Sequence, residues 1–220
     1  MNRNCLKKER LNGEGFQLKI SLFNFLVLAM VTIGFVSCSG TDSSDSKQKA
    51  DSTNTARVDS AKSRDTTSGN NTSMADLKPD AQFAVNAADG GMMEVTLGKM
   101  AAEKAVTKEV KMFGKTMVTD HSKGNSELKT LAMAKNIAIP DELSDKCRKE
   151  ADDLGQKKGI DFDKAYIDMM VKDHKEDIDE FKKESEKGND SQISEWAKAK
   201  IPTLEHHLTM AQDAQKTLEK

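Results

Sequence analysis

The chain has 220 residues, of which 36% are hydrophobic and 32% charged, and a net charge of −2. With one Trp, one Tyr and three Pro, that balance favours helix over sheet. The near-neutral, slightly acidic charge gives no electrostatic footprint for nucleic acid, so no nucleic-acid role is indicated.

Residues 1–19 are polar and basic, carrying Arg3, Lys7, Lys8, Arg10 and Lys19. An almost uninterrupted apolar run follows from Ile20 to Val36, short for a spanning helix but suited to a signal h-region. It ends in Phe35-Val36-Ser37-Cys38-Ser39-Gly40, which resembles the lipobox of bacterial lipoproteins. The resemblance implies a signal peptide over 1–37, lipidation of Cys38 and a membrane partner through that lipid. The acidic, serine-rich stretch 42–45 resembles export signals of Bacteroidota-type lipoproteins, which implies the cell envelope, at the outer membrane, with the folded part outside the cytoplasm. Cys5 lies in the n-region, so Cys147 alone remains beyond the processing site and no internal disulfide forms there.

Residues 38–77 are Ser, Thr, Asp, Asn and Lys with scarcely any large apolar side chain. Such a segment buries too little surface to offset its ordering entropy, and it is expected to be a disordered tether spanning roughly 35 Å as a coil.

From residue 78 to 220 the pattern turns helical. Helix A is expected over Asp80 to Lys104, with Phe83, Ala87, Gly90, Glu94, Leu97 and Ala101 alternating by threes and fours. Helix B is expected from Thr107 to Asn136, after which Pro140 starts a short extra helix reaching Lys157, with Gly159 ending it. Helix C spans Asp161 to Lys187, and Gly188-Asn189-Asp190 separates it from helix D, which runs to the C-terminus. The expected fold is all-α, a four-helix bundle with a short extra helix in the B–C connection.

The sharpest signal is an internal repeat. Phe113-x3-Met117-Val118-x-Asp120-His121-x5-Glu127 in helix B recurs 53 residues later as Tyr166-x3-Met170-Val171-x-Asp173-His174-x5-Glu180 in helix C. The repeat implies two equivalent helices related by a pseudo-twofold axis, joined by a connection long enough for a crossover. Glu94, His121, His174 and His207 all fall near mid-height of their helices, whereas His206 points to the opposite side.

Buried without partners, these groups would cost a few kcal/mol each, so partners are required. Two readings follow. In one, Glu94, His121, His174 and His207 bind a transition metal (copper, zinc, manganese or iron), with Asp120 and Asp173 orienting the rings. Met117, Met170 and Met210, at helical spacing from the histidines, are candidate soft ligands. In the other, the aspartates and histidines form a hydrogen-bonded core network in a purely structural or interaction bundle. A di-metal redox enzyme is disfavoured: such centres use Glu-x-x-His, and Val118, Val171 and Leu204 stand three before the histidines.

Phe83, Glu94-Val95-x-Leu97-Gly98, Met117-Val118-x-Asp120-His121, Phe162-Asp163-x2-Tyr166, Asp173-His174 and Pro202-x-Leu204-x2-His207-Leu208 together resemble the bacterial family called domain of unknown function 4142. The resemblance covers about 125 residues. It implies a ferritin-like helical bundle, secreted or in lipoprotein form, and supplies no established activity. The expected role is a non-enzymatic envelope module, metal-binding or stress-related, with no protein partner specified.

Overall fold

The computed structural model describes residues 45–62 and 76–219. The signal segment, Cys38 and much of the expected tether lie outside the described residues. Among the described residues there are six helices: α1 Ser46–Lys62, α2 Lys78–Lys104, α3 Lys108–Ala134, α4 Asp145–Gly155, α5 Gly159–Lys187 and α6 Ser191–Leu218. None of them is long and apolar enough to cross a membrane.

Helices α2, α3, α5 and α6 form the four-helix bundle that the periodicity predicts. The pairs α2–α3 and α5–α6 pack most closely, α3 adjoins α6, and α2 adjoins α5, so α3 and α5 stand diagonally. Two buried aspartates fix the helix directions. Asp163, in the first turns of α5, accepts hydrogen bonds from the Val106 and Thr107 amides at the α2–α3 turn, the latter at 2.8 Å. Asp80, in the first turn of α2, accepts from the Asn189 and Asp190 amides at the α5–α6 turn, at 3.0 and 2.9 Å. Each hairpin turn is therefore closed by a carboxylate from the other hairpin. It follows that α2 and α5 run antiparallel, that α3 runs parallel to α5, and that residues 135–158 cross the full length of the bundle. The duplicated Asp-His motif accordingly sits on two parallel helices at one height.

The α2–α3 pair is tight because two glycines meet. A Cβ added at Gly98 would lie 2.8 Å from the Gly114 carbonyl oxygen, and one at Gly114 would lie 2.7 Å from the Gly98 carbonyl oxygen. Along the bundle axis the core falls into two apolar clusters. One contains Leu97, Phe113, Met117, Tyr166 and Met170; the other contains Phe83, Leu128, Ile178, Phe181 and Leu204. The mid-height histidines lie between them.

Two expectations are corrected. Pro140 does not start the short helix. The chain Pro140-Asp141-Glu142-Leu143-Ser144 offers two starts, and Ser144 takes the role because its hydroxyl accepts the Cys147 amide and donates to Asp89 at 2.8 Å. Gly159, at φ +57°, opens α5 rather than closing α4.

The larger correction concerns the tether, because residues 46–62 form α1. This helix has little to bury beyond Ala50 and Val58. It docks through polar bonds instead, which composition alone does not reveal. The Asn54 carboxamide donates to the Ala138 carbonyl at 2.8 Å and accepts from the Ala138 amide at 2.7 Å. Arg57 donates to the Asn136 carbonyl and Ser46 to Asp141, while the Lys47 ammonium lies 3.8 Å from the buried Asp89 carboxylate. Helix α1 thus clamps the crossover segment against the bundle.

Candidate metal centre

Three of the four predicted residues converge. His121 comes from α3, His174 from α5 and His207 from α6; His174 and His207 are fully buried, and His121 retains slight exposure. The His207 Nδ1 stands 3.3 Å from His121 Nε2 and 3.4 Å from His174 Nε2. One ligand atom from each ring lies within 4.8 Å of the other two.

The opposite nitrogen of each ring meets an acceptor. His121 Nδ1 lies 2.8 Å from Glu94 Oε2, His174 Nδ1 lies 3.0 Å from the Met170 carbonyl oxygen, and His207 Nε2 lies 2.9 Å from Asp120 Oδ2. Acceptors of this kind hold the single proton of a neutral imidazole on the outer nitrogen. The three inner nitrogens then present lone pairs to one another. Burial holds the His207 imidazole below its ordinary pKa, against the opposing pull of its hydrogen bond to Asp120. A second proton on this ring is therefore disfavoured.

Distances decide what would fit. In a tetrahedron with metal–nitrogen bonds of about 2.0–2.1 Å, ligand nitrogens are about 3.3–3.4 Å apart. Two of the three edges here already have that length. The third lies within 4.8 Å and would have to close to that length by ring movement.

Glu94 takes a different place from the one predicted. Its carboxylate lies behind the His121 ring, with its other oxygen 3.8 Å from His174 Nδ1, so it orients rings rather than facing the shared centre. Asp120 does orient a histidine, that of α6. Asp173 is buried beside His174. Met117 and Met170 belong to the apolar cluster around Phe113 and Tyr166, and Met210 packs against it. His206 is exposed, as its helical phase predicts.

A cleft reaches this centre. Glu94, His121 and His207 line it together with Asp177, Trp196 and Lys200. The Lys200 ammonium pairs with Glu127 and lies 5.9 Å from the Trp196 ring centroid. Sequence reasoning missed these wall residues. Trp196 and Lys200 fall on α6 two turns and one turn before Leu204, which was legible, but nothing in the pattern says that the bundle opens there. In the apolar cluster around Phe113, burial first and the Glu94 charge second push the Tyr166 phenol pKa upward, keeping it protonated.

Neither a curated protein nor a solved structure matches the chain. A family model does, over residues 63–214, a span that takes in α2, α3, α5, all but the last turn of α6 and the three converging histidines and leaves α1 outside. The chain belongs to that family, described as Domain of unknown function (DUF4142).

Proposed function

We propose that the bundle binds a transition-metal ion through His121 Nε2, His174 Nε2 and His207 Nδ1, with the fourth position turned toward the cleft. The observation that carries this reading is the convergence of three ring nitrogens, each on a ring whose other nitrogen meets an acceptor. Metal-ligating histidines characteristically donate their other N–H to a carboxylate or carbonyl, which fixes ring orientation and raises ligand basicity. Imidazole donors suit zinc, copper, iron and nickel. The lipobox-like sequence around Cys38 supports a second part of the proposal: the bundle is a cell-envelope lipoprotein held outside the cytoplasm, with the membrane as its partner.

One observation favours a structural role instead. Glu94 and Asp120 already bond two of the rings, so the layer could serve to fix the register of four helices. Elemental analysis separates the readings. Full-length protein purified without a histidine tag is expected to carry close to one equivalent of a transition metal, or to take it up from solution. His121→Ala is expected to carry none. Equal metal content in the two proteins would overturn the metal reading.

A further inference from the structure

The charge around the three histidines bears on which ions they accept. We infer that the site, on the metal reading just given, selects a divalent over a monovalent ion. Imidazole ligands bring no negative charge of their own. The carboxylates of Glu94 and Asp120 touch two of the rings directly, at 2.8 and 2.9 Å, and the buried Asp177 lines the same cleft. The ammonium that shares this cleft, Lys200, is paired with Glu127. An ion at the centre therefore sits in the field of the two carboxylates that touch the rings, with Asp177 in the cleft wall, and its attraction to them scales with its own charge. Burial of Glu94 at 2% exposure limits solvent screening of that field.

Ligand softness points the same way. Monovalent coinage ions favour thiolate and thioether donors. The thioether side chains of Met117 and Met170 are packed in the apolar cluster, and that of Met210 packs against it. Cys147 lies on α4 with its sulfur 3.2 Å from Asp89. Carboxylate-backed imidazoles are instead strong σ-donors suited to a more highly charged ion.

The test titrates full-length protein with Zn(II) and with Ag(I) in chloride-free buffer by calorimetry. The share of binding that belongs to the site is the part lost in His121→Ala. Zn(II) is expected to bind that share at least tenfold more tightly than Ag(I). Glu94→Gln and Asp120→Asn should each weaken Zn(II) by about 10- to 100-fold and Ag(I) by less, so the ratio narrows. Asp120 is partly exposed and Asp120→Asn keeps an acceptor oxygen for His207, so it carries the test if Glu94→Gln does not fold. Ag(I) binding as tightly as Zn(II) in a His121-dependent way would overturn the selectivity and leave the metal site standing. Binding of neither ion in a His121-dependent way would overturn both.

Discussion

His121 and His207 face each other through ring nitrogens 3.3 Å apart, and each is held from behind by a carboxylate on a different helix. The four groups join α2, α3 and α6 through one chain of contacts running Glu94, His121, His207, Asp120. This chain lies between two apolar clusters, where unmade hydrogen bonds are expensive.

Removing one link should therefore be felt in the folding equilibrium even without metal. His121→Ala deletes the N–H that Glu94 accepts, and is expected to cost about 1–3 kcal/mol. His206→Ala, at an exposed position on the same helix as His207, should stay within about 0.5 kcal/mol of the parent. Urea denaturation in the presence of a chelator measures both. Equal effects would place His121 outside any network.

The glycine pair of α2 and α3 makes a second prediction. Gly98→Ala drives a Cβ against backbone, which cannot give way without separating the helices, and should destabilise by about 1–3 kcal/mol. Gly124→Ala meets nothing within 4 Å in the same α3 helix, and should be neutral or stabilise by up to about 1 kcal/mol through helix propensity. In thermal melts Gly98→Ala should lower the midpoint while Gly124→Ala leaves it unchanged or raises it.

A third prediction concerns pH at the far end of the bundle. Burial, then the nearby Asp80 carboxylate, raise the Glu184 pKa from 4.5 to about 8. A carboxyl whose folded pKa lies above its unfolded value is stabilising while protonated in both states. That stability is fully present below pH 4.5 and is lost as pH rises toward about 8. Glu184→Gln, which stays neutral, should fall less in stability over this window. Measured by denaturation of the chelated protein, the gap between variant and parent should widen steadily from pH 4.5 to 8. A constant gap would contradict the shift.

The α1 clamp predicts a local effect. Asn54→Ala removes both bonds to Ala138 and should release α1 while the four bundle helices remain folded. Hydrogen exchange should accelerate across residues 46–62 and 136–142, with little change near His174. Unchanged protection of α1 would show that Asn54 does not hold it.

Much of the bundle is legible in the sequence because long amphipathic stripes carry their own period. Phe83, Leu97, Val110, Leu128, Ile167, Phe181 and Leu204 all fall inside as the three-four spacing requires. The duplicated Asp-His motif likewise locates two of the three converging rings. Geometry across helices is less accessible. Glu94 shares the height of the histidines, but only its placement behind His121 distinguishes a ring-orienting group from a ligand. Asp80 and Asp163 look like ordinary acidic residues in a helix's first turn, and their bonds to the opposite hairpin depend on the tertiary arrangement. Helix α1 fails the hydrophobic criterion altogether, and its order comes from Asn54, Ser46 and Lys47 meeting partners about 40 to 95 residues away.

The central claim is that the inner nitrogens of His121, His174 and His207 share one ion, and thermal unfolding with added Zn(II) tests it most directly. On this account the apo-protein gains about 2.7 kcal/mol when free ion reaches a hundredfold excess over the dissociation constant. The gain should vanish in His121→Ala and in His174→Ala while persisting in His206→Ala. A stabilisation that survives loss of both His121 and His174, or none with zinc, copper, manganese or iron, would contradict it.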